Sequence, residues 1–178
     1  MNFVEKMKGA GQSPPSVSPL EIGLSWFGAL LGIGMIGLVN NFVLGAQENV
    51  LMIASFGASA VLLYGAPKSP LAQPRNLIGG HIMAAFIGVA VCRILISEPW
   101  IAAAIAVSTS IAVMHLTRTL HPPAGATALN AVIGGAKVHQ LGFVYPILPV
   151  ALGAFILLAV ALVFNNIPRN RRYPEFWI

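Results

Sequence analysis

The sequence contains few charged residues and no aspartate. Lys, Arg, Asp and Glu together make up 8% of its 178 residues, whereas a soluble domain usually contains about 25%. Hydrophobic residues make up 57%, and the mean hydropathy is +0.81. This composition excludes an ordinary soluble domain. It predicts an all-α membrane protein whose main partner is the lipid bilayer.

Cysteine is scarce too, and the charge pattern does not predict a nucleic-acid partner. The one cysteine, Cys92, lies in an apolar stretch and excludes an internal disulfide framework. The net charge of +5 comes from basic residues at the ends of apolar segments rather than along one face. Residues 1–18 are polar and rich in proline and serine, without the pattern of a cleaved signal, and predict a flexible cytoplasmic tail.

Six apolar segments follow this tail. A helix needs roughly 20 apolar residues to span a bilayer. Four segments meet that requirement: 22–44, 77–96, 100–116 and 143–164. Two are shorter and richer in glycine and proline: 50–65 and 122–136. We predict about six transmembrane segments. Four helices with two re-entrant segments are the alternative.

The basic residues predict the orientation of these segments. With six crossings, both chain ends lie on one side of the membrane, as they do in the four-helix alternative. Because cytoplasmic loops carry an excess of Lys and Arg, this side is expected to be the cytoplasm. The other side receives Arg93 and Lys137. The cytoplasmic side receives Lys6, Lys8, Lys68, Arg75, Arg118, Arg169, Arg171 and Arg172.

The chain contains an internal repeat. Gly-Ala-Ser-Ala at 57–60 recurs as Gly-Ala-Thr-Ala at 125–128, an offset of 68 residues. The offset also superposes apolar stretches that begin near His81 and Pro149. Each half, about 20–97 and 98–165, then contains a long helix, a short Gly-rich segment and another long helix. Because each half crosses the membrane an odd number of times, the second half is expected to be inverted relative to the first. Residues 19–178 are therefore predicted to form one transmembrane domain, built as a 3+3 inverted repeat and ending in a short cytoplasmic tail.

The two short segments are predicted to begin as half-helices inside the bundle. A proline fits the first turn of a helix but cannot continue one, so we expect the second half-helix to begin at Pro122 or Pro123. The first is expected to begin near Phe56 or Gly57. Inverted symmetry would bring both amino ends, with their unpaired N–H groups and positive dipole ends, to one small anion site.

This hypothesis selects a set of substrate-binding residues. Gly57 and Gly125 would allow the backbones to approach closely, and Ser59 and Thr127 would supply hydroxyl groups. The alternative is that these small residues only pack helices together. The predicted binding residues are Ser55, Gly57, Ser59, His121, Pro123, Gly125, Thr127 and Asn130.

The placement of charge favours an anion over a cation. All five glutamates lie at segment ends or in tails, so no carboxylate sits at mid-membrane, where a coupled cation carrier usually needs one. This favours a channel or uniporter. The predicted pathway residues are positive or hydrogen-bond donors: Arg75, Asn76, His81, His115 and Arg118. For three residues a structural alternative stays open: a helix cap for His121, a membrane anchor for Arg118 and a packing role for His115.

Several stretches resemble the HPP family of integral membrane proteins. They are His-Pro-Pro-Ala-Gly-Ala-Thr-Ala at 121–128, Ser-Phe-Gly-Ala-Ser-Ala-Val at 55–61, Ser-Pro-Leu-Ala-Gln-Pro-Arg-Asn-Leu-Ile-Gly-Gly-His at 69–81, and Asn-Arg-Arg-Tyr-Pro at 170–174. The resemblance covers the chain from about Pro19 to Trp177. It implies a nitrite-type anion pathway in the plasma membrane of a bacterium, of cyanobacterial type, or in a chloroplast inner envelope. It also implies four spanning helices rather than six.

The leading hypothesis is therefore a transporter or channel for a small monovalent anion, with nitrite as the first candidate. Nitrite is small, planar and weakly hydrated, so N–H and hydroxyl donors can replace its water. We expect no cofactor, metal or enzymatic activity, because His115 and His121 lack an acidic or cysteine partner. One rival is a structural or regulatory membrane subunit, and another is an intramembrane enzyme that uses His115, His121 and Arg118. Assembly as a homo-oligomer is left open.

Overall fold

The computed structural model describes residues 2–9, 11–43, 51–95 and 97–178. These ranges are helical and contain no strand. The expected segment ends at Leu44, Val50 and Ile96 lie outside the described residues. The principal helices are α1 (Phe3–Met7), α2 (Pro19–Val43), α3 (Ala54–Gly65), α4 (Pro74–Ile94), α5 (Pro99–Leu116), α6 (Pro122–Ile133), α7 (Gly135–Leu141) and α8 (Pro146–Phe164).

Four of these helices, α2, α4, α5 and α8, are long and apolar enough to cross a membrane. The all-helical prediction is confirmed for the described residues. The predicted six complete crossings are not, because α3 and α6 each contain only 12 residues. At about 1.5 Å per residue such a helix is about 18 Å long, which is shorter than the roughly 30 Å hydrocarbon core of a bilayer.

The two short helices repeat at the spacing of the sequence motifs. Helices α3 and α6 begin 68 residues apart and end 68 residues apart. They contact each other, while α4 packs mainly against α5 and α6, and α8 packs against both α2 and α4. The third helix of each predicted half therefore packs chiefly on the other half, and the two halves are interlocked.

Small residues allow α4 to lie close to α6. Gly80, Ala84 and Gly88 recur at every fourth position of α4 and are buried, so they share one face of the helix. A Cβ atom added at Gly88 would lie 2.6 Å from the carbonyl oxygen of Ala128. Close backbone approach through small residues is a common way for membrane helices to pack. It places the neighbouring His81 against α6.

The amino-terminal tail is not entirely without regular structure. Residues Phe3–Met7 form the short helix α1, which begins with a capping box in which Asn2 and Glu5 each bond to the other's backbone N–H. Its side chains are exposed. The expected flexibility of residues 1–18 as a whole stays a prediction.

The carboxy-terminal segment is held against the bundle by Arg171. Its guanidinium Nη2 lies 2.5 Å from the Glu21 carboxylate at the start of α2, and Nη1 donates to Asn165 after α8. The Arg171 side chain is only 2% exposed, whereas that of Glu21 is 30% exposed. Arg171 therefore joins the two ends of the transmembrane domain.

The same segment also contacts the loop before α4. The Tyr173 hydroxyl donates to the carbonyl of Ala72 at 2.8 Å, and the Glu175 N–H donates to the side chain of Gln73. Burial raises the pKa of the Tyr173 hydroxyl. This group therefore stays protonated near neutral pH and keeps its donor role.

Replacing Glu21 with glutamine should lower thermal stability, because it leaves the buried Arg171 guanidinium without a counter-charge. Loss of one partner from a fully buried ion pair costs about 3–5 kcal/mol, and the partial exposure of Glu21 reduces this. We expect Tm to fall by roughly 3–8 °C, measured by a thermal aggregation assay in detergent. Glu98→Gln, at an exposed helix start whose side chain caps no N–H, is the control. Equal Tm values for the two variants would contradict the role of Arg171.

Candidate functional site

Five fully buried polar side chains meet between the short helices and α4. Each is no more than 2% exposed. Two come from α3, one from α4, one from the residue before α6 and one from α6. We call these residues the polar cluster: Ser55, Ser59, His81, His121 and Thr127.

The cluster is a continuous chain of hydrogen bonds. The Ser59 hydroxyl lies 2.9 Å from Nε2 of His121 and 2.8 Å from Nε2 of His81. The Nδ1 atom of His81 lies 2.7 Å from the Thr127 hydroxyl, which donates to Ser55 at 2.9 Å. At the other end, Nδ1 of His121 donates to the carbonyl of Leu71 at 2.8 Å. No buried side-chain N or O atom among the described residues lacks a partner.

The sequence explains how His121 and α6 are placed. The residue before a proline favours an extended backbone, and His121 has φ −134° and ψ 102°. Pro122 and Pro123 then occupy the first helical turn, where a missing N–H costs nothing. The predicted start of α6 is thus confirmed, and Pro123 is buried beside the cluster.

The two helix starts do not converge on one pocket as expected. Ser55, the second residue of α3, bonds to Thr127 in the second turn of α6, whereas Ser59 in the second turn of α3 bonds to His121 at the start of α6. The helices therefore run antiparallel and side by side. Side chains of the cluster fill the space between them, and each amino end lies beside the other helix rather than facing the other amino end.

Each helix start instead borders a cavity of its own. A cavity of about 650 Å³ touches Ile53 and Ala54 at the start of α3 and extends to Asn130 and Lys137. One of about 530 Å³ touches Pro122 at the start of α6 and reaches His115. Neither cavity is lined by Ser59, His81 or His121. Because each side chain of the cluster is also at most 2% exposed, the cluster is sealed in this conformation.

Asn130 lies at the margin of the cluster rather than in it. Its side chain donates to the Tyr145 hydroxyl at 2.9 Å, and Tyr145 donates to the backbone carbonyl of Thr127 at 3.4 Å. These bonds connect the cluster to the cavity that Asn130 borders. Sequence reasoning missed Tyr145 and the Leu71 carbonyl, since no motif surrounds the tyrosine and a backbone acceptor leaves no side-chain signal.

Gly57 and Gly125 do not mediate the contact between the short helices. A Cβ atom at Gly57 would meet nothing within 4 Å, and one at Gly125 would meet only Val107 at 3.9 Å. Both glycines face away from the cluster, because Ser59 and Thr127 lie about 200° further round their helices. The prediction of close backbone approach at these glycines is wrong. Tight glycine contacts occur elsewhere, among them those of Gly80 and Gly88 on α4.

Of the predicted pathway residues, only His81 belongs to the cluster. Arg75 donates to the carbonyl of Thr117, and Asn76 donates to that of Leu120, so both attach α4 to the loop between α5 and α6. Arg118 in this loop is exposed, with φ 56° in the left-handed region. His115 is exposed on α5 and lines the smaller cavity.

The cluster presents hydrogen-bond donors and contains no carboxylate. Imidazole N–H and hydroxyl groups can donate to an oxyanion, and no carboxylate takes part in the cluster. Among the described residues, no group of three His, Cys, Asp or Glu side chains could hold a metal ion. Buried ionisable groups inside a membrane domain are costly and usually functional.

These features define a helical membrane protein with a sealed polar centre between two short helices. Residues 14–174 match the transmembrane region of the HPP family, and the chain belongs to this family. Two Dictyostelium discoideum proteins, each described only as a transmembrane protein, are both 43% identical to it over 99% of this chain. The chain spans 58% and 64% of their lengths. No solved structure matches. The relatives give no support to the expected cyanobacterial source.

Proposed function

We propose that this protein carries a small monovalent anion across a membrane, with nitrite as the first candidate. The observation that carries the proposal is the polar cluster, in which two imidazoles and three hydroxyls meet without a carboxylate inside an apolar bundle. Burying polar groups in such surroundings costs free energy. A protein that only needed packing would place apolar side chains there.

Charge favours an anion as the substrate. The glutamates within the described part of the chain lie in tails or at helix ends, as in Glu21, Glu98 and Glu175. A cation in the cluster would meet no negative charge. An oxyanion could accept hydrogen bonds from the imidazole N–H and hydroxyl groups that now bond to one another.

The route leads from the larger cavity to the cluster. Asn130 and Lys137 border that cavity, and Tyr145 connects Asn130 to Thr127. On the other side, Leu71 and the loop near Arg118 lie beyond His121. We propose that this second side, with both chain ends, faces the cytoplasm. For an anion to pass, the bonds around Ser59 must open, so this conformation is closed.

Nitrite uptake into proteoliposomes tests the site. Ser59→Leu, Thr127→Leu and His121→Ala should each reduce protein-dependent uptake at least tenfold, because each removes a donor and the leucines also fill the space between α3 and α6. Unchanged uptake in all three would reject the site.

Two buried serines provide a matched control. The Ser59 and Ser110 hydroxyls both lie within bonding distance of the carbonyl four residues earlier, at 3.1 and 2.7 Å, and both side chains are fully buried. Ser59→Ala should reduce uptake, whereas Ser110→Ala should leave it near the wild-type rate. Wild-type vesicles without protein-dependent uptake would instead favour the structural-subunit alternative.

The cluster also presents a serine beside two histidines, which favours a hydrolase as a second candidate. In such enzymes a serine attacks substrate while histidine accepts its proton. Ser59, however, lies in the second turn of α3, sealed from both cavities, and we propose that it has no enzymatic role. Labelling of wild type but not Ser59→Ala by a fluorophosphonate probe would overturn this and support a hydrolase.

A further inference from the structure

When both imidazoles are neutral and the Thr127 hydroxyl donates to Ser55, as the geometry has it, the cluster has one contact more than its donors can fill. A carbonyl can only accept, so His121 must carry a proton on Nδ1 to bond Leu71. The Thr127 hydroxyl donates its single proton to Ser55, so Nδ1 of His81 must donate to Thr127. A neutral imidazole carries one N–H, and both Nε2 atoms are then bare.

Both bare Nε2 atoms would face one hydroxyl. Ser59 lies 2.8 Å from Nε2 of His81 and 2.9 Å from Nε2 of His121. It has only one proton to donate, and the Ser55 carbonyl at 3.1 Å competes for that proton. One of the two contacts would therefore join two lone pairs at hydrogen-bond distance, which is repulsive. One added proton removes the conflict, because the protonated Nε2 donates to Ser59 while Ser59 donates to the other ring.

From this count we propose that His81 and His121 share one bound proton through Ser59, and that this proton enters together with the anion. The inference rests on the proposed function and specifies its coupling. The proton comes from water at the membrane surface. It passes between the rings when Ser59 accepts it from one Nε2 and gives its own proton to the other, with no other reactant.

Burial links the proton to the anion. An imidazolium at this depth is a charge removed from water, and such a charge needs a partner. The other titratable or charged side chains on α3, α4, α5 and α6, together with Tyr145 and Tyr173, include no carboxylate: Tyr64, Arg75, Cys92, Arg93, His115, Tyr145 and Tyr173. The three tyrosines and Arg75 bond to backbone carbonyls, and His115 is exposed. A nitrite ion would supply the negative charge, so each ligand should strengthen binding of the other.

Nitrogen-15 NMR of the full chain in lipid vesicles measures this proton directly. Imidazolium and the two neutral tautomers differ in their nitrogen shifts, and His115→Gln and His139→Gln identify the signals of those two histidines. In sodium nitrite we expect one imidazolium for the His81–His121 pair. Its titration midpoint should rise by at least one pH unit in sodium nitrite relative to sodium gluconate of equal ionic strength. Ser59→Ala should abolish that rise.

The outcomes separate the two proposals. An unchanged midpoint with intact nitrite uptake would overturn proton coupling and leave anion transport standing. Nitrogen shifts that show two neutral rings, with His81 protonated on Nε2, would also overturn proton coupling and leave anion transport standing. This arrangement results if the Thr127 hydroxyl turns to His81. A raised midpoint without uptake would support shared binding and reject transport. If the midpoint is unchanged and no uptake is measured, both proposals are rejected.

Discussion

Replacing Gly88 with leucine should separate α4 from α6 and destabilise the whole bundle. A Cβ atom at this position would lie 2.6 Å from the Ala128 carbonyl oxygen and 2.7 Å from the Ala131 Cβ atom. The first is a backbone atom of α6 and the second is a Cβ atom fixed to that backbone, so neither can rotate away. Overpacking of this kind costs about 1–3 kcal/mol, and more where the backbone must move.

The expected result is a Tm lower by about 5–10 °C, together with loss of nitrite uptake. Uptake should fail because α4 holds His81 only 2.7 Å from Thr127 of α6. Gly88→Ala should show a smaller shift in the same direction. Tm is measured by fluorescence-detected size exclusion after heating in detergent.

Gly34 supplies the matched control on α2. A Cβ atom there would meet nothing within 4 Å, and the residue is exposed on an apolar helix. Gly34→Leu should change stability by no more than about 0.5 kcal/mol. Similar Tm values for Gly88→Leu and Gly34→Leu would show that the close contact between α4 and α6 does not determine stability.

The sequence was sufficient to predict which segments form the centre of the fold. The tetrads at 57–60 and 125–128 lie at one offset, and α3 and α6 begin and end at that same offset. The start of α6 was predictable because Pro122 fits only a first turn. The start of α3 at Ala54 lacked such a signal, which is why it was expected two or three residues later.

The rotation and overlap of the short helices were not predictable. Every face of α3 and α6 is apolar or small, so hydrophobic periodicity does not show which face turns inward. Gly57 and Gly125 therefore looked as suitable for the contact as Ser59 and Thr127. The choice depends on packing against α4, where Gly88 admits α6 and Gly80 admits the residues just before α6. His81 was predicted to line the pathway, but its central position follows from this packing alone.

Removing one member of the polar cluster should cost more than its own hydrogen bond. Thr127→Val keeps the volume but leaves the His81 Nδ1 and Ser55 hydroxyl without their partner. A buried group left unsatisfied costs about 1–3 kcal/mol. Thr127→Ser retains the hydroxyl and should lose much less. Denaturant or thermal unfolding in detergent gives the comparison.

A double-mutant cycle with His81→Leu then separates a coupled network from independent contacts. Once His81 is gone, Thr127→Val no longer leaves an imidazole unpaired, so the double variant should be more stable than the sum of the single losses predicts, by about 0.5–3 kcal/mol. Thr127→Val with Ser110→Ala, which shares no hydrogen-bond partner with it, should be additive. Additivity in both cycles would mean that the cluster is a set of separate contacts. A coupled network, in contrast, must open as a unit, and an anion entering between the imidazoles would then replace several bonds together.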